Sequence, residues 1–272
     1  MLPVLLKVGP ITITIIGLMI SISFLLASFS IWKKGKEENF DENELMDGVI
    51  LVSLISFIFS RLSYFLFNPH KLNSFFSLFE FIKTPGYVWA GALIAGIIVL
   101  IIFCQKRKWD FFRIGDLSVF GLSMGFILTH LGYFISQVEL NRFFFQPHLY
   151  YFIFFIFLYI ALNLLEKNYR SFEWYKNKRG EANPGFILLS FLLLSTLTNL
   201  IIRTIFNSSF SFFNPYFITD LFIIIITIFL FYVRTGKSNL TINFPWFKKR
   251  KDNYLKKTNS GPHLKAGMEA NK

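Results

Sequence analysis

Residues 89–139 read WAGALIAGIIVLIIFCQKRKWDFFRIGD and continue LSVFGLSMGFILTHLGYFISQVE. Two apolar runs flank a short basic loop that ends at Asp116, and the second run carries His130 near its far end. Gly91, Ala92, Ala95, Gly96, Gly121 and Gly125 let helix backbones approach closely. Helices associate in lipid by such packing, because lipid tails supply no hydrophobic drive between them. A polar residue deep in an apolar run is costly without a partner or a purpose. His130 therefore has two readings: an imidazole near the interface bonded to a backbone carbonyl, or a functional group.

Composition sets the class. The chain has 272 residues, 54% of them hydrophobic, with 37 phenylalanines and a mean hydropathy of +0.51, well outside the usage of a water-soluble domain. This is the composition of an integral membrane protein. Cys104 is the only cysteine, so no disulfide framework or cysteine-held metal is expected, and it reads as a small buried hydrophobe.

Seven runs are long enough to cross a hydrocarbon layer of about 30 Å: residues 11–32, 48–67, 87–104, 117–136, 148–165, 185–206 and 216–233. The fold class is thus an all-α integral membrane protein with seven transmembrane helices. The first run is too long and too weakly basic in front for a cleaved signal peptide, and is expected to remain as a helix. Segments 33–47, 105–116, 166–184 and 234–272 hold 22 lysines and arginines, against 4 in segments 1–10, 68–86, 137–147 and 207–215. The positive-inside rule then places the N-terminus outside and the C-terminus in the cytoplasm. The net charge of +12 is a topology and lipid signal; its dispersal over alternate loops argues against nucleic acid as a partner.

Residues 1–235 form the predicted membrane domain, and 236–272 a basic, largely disordered cytoplasmic tail. In that tail Lys248, Lys249, Arg250, Lys251, Lys256 and Lys257 follow Phe244, Trp246 and Phe247, a pattern suited to anionic headgroups at about 1 kcal/mol per basic group. On the outer side, segment 68–86 reads as a short interfacial helix. Segment 137–147 sets Glu139 and Arg142 three residues apart, a spacing that would let them pair on one helical face.

Phosphate-binding loops, dinucleotide fingerprints, zinc-protease helices and nucleophile elbows are absent from the sequence. Any chemistry belongs to the few polar groups in or beside the spans: Arg61, Asp116, His130, Glu139, Asn199 and Arg203. No cofactor and no metal site is expected.

Several motifs, in order, carry a resemblance. VGPITITIIGLM (8–19) looks like an opening of the form I-G-P-hydrophobic-Y-G-L-M, and SRLSYFLF (60–67) like G-R-hydrophobic-G-Y-hydrophobic-hydrophobic-F. WAGALIAG (89–96) stands where F-H-G-G-L-hydrophobic-G is found, with GDL (115–117) following. THLGYFISQVE (129–139) falls where G-R-hydrophobic-G-N-F-hydrophobic-N-G-E is written, and PHLY (147–150) echoes H-P-S/T-Q-L-Y-E. Over roughly residues 1–235 the chain resembles the bacterial prolipoprotein diacylglyceryl transferases. These are seven-span plasma-membrane enzymes that move diacylglyceryl from phosphatidylglycerol to the lipobox cysteine of prolipoprotein signal peptides.

The departures fall on signature positions. Ala90 stands for the family histidine, His130 for the signature arginine, and Tyr133 and Ser136 for two asparagines. Ile16 replaces a tyrosine, while Ser195 and Asn199 replace an arginine and a glutamate. Arg61, Asp116, Glu139 and Arg142 match, and Arg203 lies one residue off a further arginine.

The resemblance implies phosphatidylglycerol and prolipoprotein signal peptides as partners, and His130 and Glu139 as catalytic groups. Arg61, Arg142 and Arg203 become lipid-binding, with Asp116, Tyr133 and Asn199 structural or orienting. A neutral histidine lacks the fork and the permanent charge with which arginine holds phosphate, so the rewriting bears directly on mechanism. Three readings stand: a divergent transferase, an inactive relative that still binds lipid or signal peptide, and a small-solute transporter.

Overall fold

The computed structural model describes residues 4–8, 11–69, 86–137, 146–176, 182–206 and 215–235. A small antiparallel hairpin, β1 (Val4–Val8) with β2 (Ile11–Thr14), leads into seven helices. These are α1 (Ile15–Glu37), α2 (Glu42–Phe67), α3 (Trp89–Arg107), α4 (Phe111–Gln137), α5 (Pro147–Asn168), α6 (Phe186–Phe206) and α7 (Pro215–Arg234). All but α3 are long and apolar enough to cross a membrane. At 19 residues, α3 is close to the roughly 20 that a crossing takes.

Helix ends follow local chemistry. The alternating Ile-Thr-Ile-Thr of β2 favours a strand, and Thr14 then accepts a hydrogen bond from the Gly17 amide at 3.2 Å. Helix α1 therefore starts at Ile15, four residues later than the hydrophobic run suggests, and continues to Glu37. Asp41 caps α2 at 2.9 Å from the Glu44 amide, with Glu42 and Glu44 in the first turn, so that helix begins six residues before the apolar run at 48. Asp110 caps the start of α4 through the Phe112 amide at 2.8 Å, which draws the expected basic loop, including Asp116, into the helix.

Successive helices run antiparallel, and the small residues lie at the closest crossings. Gly121 of α4 faces the Ala27 carbonyl and Ile31 of α1, and Gly132 faces Met19. Gly91 and Gly96 of α3 face Ser63 and Ser56 of α2. A Cβ on Gly121 would lie 2.6 Å from the Ala27 carbonyl oxygen, closer than contact permits.

Two buried clusters fill the bundle. The larger joins Val119, Phe120, Phe155, Leu158, Leu162, Ile187 and Phe191 to Tyr169, Tyr175 and Phe186 at the helix ends. The smaller packs Cys104 with Ile31, Leu45, Ile114 and Leu117, the buried apolar environment expected of that cysteine. Outside them, residues such as Phe24, Leu54, Ile98, Phe157 and Ile225 are exposed, as suits a lipid-facing surface.

The two ends of the bundle differ. At one end, where α1, α3, α5 and α7 finish, ion pairs tie helices and loops together: Lys34 with Glu166 at 2.5 Å, Arg113 with Glu38 at 2.5 Å and Arg107 with Glu44 at 2.6 Å. At this end Asp116 reaches from α4 to the start of α6, accepting from the Gly185 amide at 2.6 Å and the Leu188 amide at 2.8 Å. Arg234, at the end of α7, donates to the Pro184 carbonyl and lies over the Phe112 ring at 4.1 Å. The opposite end, where α1, α3, α5 and α7 start, holds His130, His148, Asn199, Arg203 and Asp220.

Candidate active site

At that opposite end α4 delivers His130 about two turns before it stops, and α5 delivers His148 at its second residue. Their Nδ1 atoms are 3.2 Å apart. One ring must donate and the other accept, so the pair shares one proton between these two atoms. The rings are held by stacking. Tyr133 lies on His148 with centroids 4.8 Å apart, and Tyr151 lies on His130 at 4.7 Å. Phe155 and Phe126 close the apolar side of His130 at 5.6 and 6.3 Å.

The network continues away from the histidines. The Tyr151 hydroxyl donates to Asn199 Oδ1 at 2.7 Å, and Asn199 Nδ2 donates to both carboxylate oxygens of Asp220 at 3.1 Å. Arg203, one helical turn beyond Asn199 on α6, brings Nη1 to 3.5 Å from Asp220 Oδ2. Asp220 is 2% exposed at its side chain, whereas Arg203 is 35% exposed. Helices α4 to α7 thus meet in one polar chain with a pair of imidazoles at one end and a guanidinium at the other.

His130, Tyr133, Asn199 and Arg203, all selected from the sequence, come together here. Arg61 lies toward the same face of the bundle but in the α2–α3 hairpin, 3% exposed. Its Nη1 donates to the Gly86 carbonyl at 3.0 Å, and its guanidinium lies 4.8 Å from the Phe65 ring centroid. Asp116 is at the far end of the bundle, where its bonds to two amides make it a helix cap. Glu139, Arg142, the loop after Pro69 and the tail from 236 lie outside the described residues.

Sequence reasoning passed over His148, Tyr151 and Asp220. Asp220 carried the clearest signal: it is the single acidic residue of α7, set in the apolar run FITDLFIIII. Its partners lie on α6, and no local pattern shows them.

A model of the family described as prolipoprotein diacylglyceryl transferase matches residues 3–240. The chain belongs to this family. Among individual transferases, the phosphatidylglycerol–prolipoprotein diacylglyceryl transferase of Thermoanaerobacter pseudethanolicus is 27% identical over 149 residues, 52% of this chain and 55% of that protein. The enzyme of the same name from Fusobacterium nucleatum is 34% identical over 137 residues, covering 49% of this chain and 46% of its own length. That of Oceanobacillus iheyensis is 28% identical over 136 residues, 49% of this chain and 47% of that protein. The chain spans about half the length of the curated relatives it matches. Bacterial diacylglyceryl transferases are thus its kin, and its apolar helices make it a multi-pass membrane protein.

Proposed function

We propose that this protein is a divergent phosphatidylglycerol–prolipoprotein diacylglyceryl transferase whose site is the polar chain from His148 to Arg203. The observation that carries the reading is the 3.2 Å contact of the two imidazoles, joined through Tyr151 and Asn199 to a cation. The reaction requires those two functions. The lipobox thiol gives up its proton to a base, its sulfur bonds to the glycerol carbon of the lipid, and the carbon–oxygen bond to phosphate breaks, releasing glycerol phosphate. His130, oriented by His148 and by stacking on Tyr151, is the base. Arg203 faces the developing phosphate charge with a geometry matched to its oxygens. Arg61, Glu139 and Arg142 complete the reading as substrate-binding or catalytic groups carried over from the resemblance.

The test is transfer itself. Purified protein in vesicles, given labelled phosphatidylglycerol and a lipobox peptide, should yield labelled peptide with a cysteine-dependent thioether. Lipid or peptide binding without product would support the inactive relative instead.

The reading also sets orientation, since the lipobox cysteine is reached from outside. Seven crossings with the N-terminus outside put the ion-paired end of the bundle in the cytoplasm, where the basic loops and the tail from 236 meet anionic lipid. A reporter active only in the cytoplasm should respond when fused after Lys108, Lys178 or Lys237, and stay silent after Lys71 or Asn141. Signal after Lys71 would invert the topology and place His130 on the wrong side.

A further inference from the structure

We infer that Asp220 is a positioning residue that holds Arg203 for a lipid phosphate and sets its separation from the histidine pair. The inference rests on the transferase reading for the identity of the lipid, phosphatidylglycerol, and on the geometry for the rest. Helix α7 turns Asp220 and, seven residues on, Thr227 inward, while Phe222, Ile225 and Phe229 face outward. A carboxylate in this position is costly in a membrane span without a partner or a purpose. A hydrogen-bonded tie between α6 and α7 needs no charge, because an amide or hydroxyl would accept from Asn199 equally well.

The charge has a different use. Asn199 and Arg203 sit four residues apart on one face of α6, and both converge on the same carboxylate. Tyr151 donates to Asn199 Oδ1, which fixes the amide with its Nδ2 toward Asp220. The same Tyr151 stacks on His130. Asp220 therefore anchors at once the cation and the ring beneath the imidazole. The ion pair spans 3.5 Å, and about a third of the Arg203 side chain stays exposed beside the buried carboxylate. Asp220 is thus the orienting anion for Arg203, and it does not enclose the arginine.

The experiment compares wild-type protein, Asp220→Asn and the exchange Asn199→Asp/Asp220→Asn in phosphatidylcholine vesicles that carry a small fraction of fluorescent phosphatidylglycerol. Wild type should enrich phosphatidylglycerol around itself. Asp220→Asn, nearly isosteric and still able to bond Asn199, should lose that preference by tenfold or more and raise KM for phosphatidylglycerol with the peptide KM unchanged. The exchange returns a carboxylate to the network beside Arg203 and should recover most of the preference, a rescue that a merely structural tie does not predict. Equal preference in wild type and Asp220→Asn overturns the inference, as does absence of any preference in wild type, or an exchange variant no better than Asp220→Asn. Should Asp220→Asn not fold, the exchange variant decides alone: preference near wild type supports the inference, and its absence overturns it. Loss of lipid preference in a protein that transfers nothing would defeat the transferase reading and leave the role of Asp220 standing.

Discussion

His130→Gln lowers diacylglyceryl transfer by roughly 10²–10⁴-fold, the usual worth of a positioned general base. Glutamine reaches a similar distance and retains a donor and an acceptor for His148, so the α4–α5 contact survives, but an amide does not take up a proton from a thiol. The flat stack on Tyr151 is partly lost, at a small cost beside the missing proton acceptor. The measurement is the initial rate of labelled peptide formation at saturating phosphatidylglycerol, with the melting midpoint as a folding control. His148→Gln should fall less, because that ring orients its neighbour rather than receiving the proton. A rate for His130→Gln within twofold of wild type would remove His130 from catalysis. The reverse design separates a rewritten site from a decayed one. Ala90→His with His130→Arg rebuilds two signature positions of the family, and activity seen only in that double variant would show that the ancestral base, not His130, does the work.

Asp116→Ala has the largest expected effect on stability. Asp116 satisfies the amides of Gly185 and Leu188 at the start of α6 from a neighbouring helix, at 2.6 and 2.8 Å. Gly185 caps the helix and Leu188 is in its first turn, where amides have no carbonyl partners within the helix. Gly185 has φ +106°, a backbone conformation that a side chain resists, and Phe112 packs directly against it, so this entry to the helix has little room to reorganise. Leaving two part-buried donors unmet costs up to about 1–3 kcal/mol each. The expected result is a marked drop in the unfolding midpoint during a detergent titration. The folded fraction should bind phosphatidylglycerol as wild type does, because the site lies at the other end of α4. Unchanged stability would mean that water reaches these amides, and a selective loss of lipid binding would place Asp116 in the site.

Much of the architecture was legible without coordinates, because in lipid the length and hydrophobicity of a run are themselves the structural constraint. Among the described residues the seven runs correspond to seven α-helices, six of them long and apolar enough to cross a membrane, and Gly91, Gly96 and Gly121 do lie at close crossings. Helix ends were less legible. Thr14, Asp41 and Asp110 moved them by several residues, since caps act through single hydrogen bonds that an averaged hydrophobic signal does not register.

For the site, the sequence by itself determined which residues were too polar for their surroundings: His130, Asn199, Arg203 and, unremarked, Asp220. Tertiary structure alone decided their partners. His130 meets His148 across 18 residues, Tyr151 meets Asn199 across 48, and Asp220 closes on a pair of residues from another helix. It also gave Asp116 its partners at the start of α6 and set Arg61 against the Gly86 carbonyl. The physical reason is range. Burial cost is a property of one residue in its own run, whereas a hydrogen bond of about 3 Å depends on the rotation and depth of two helices, which are fixed by packing along their entire length.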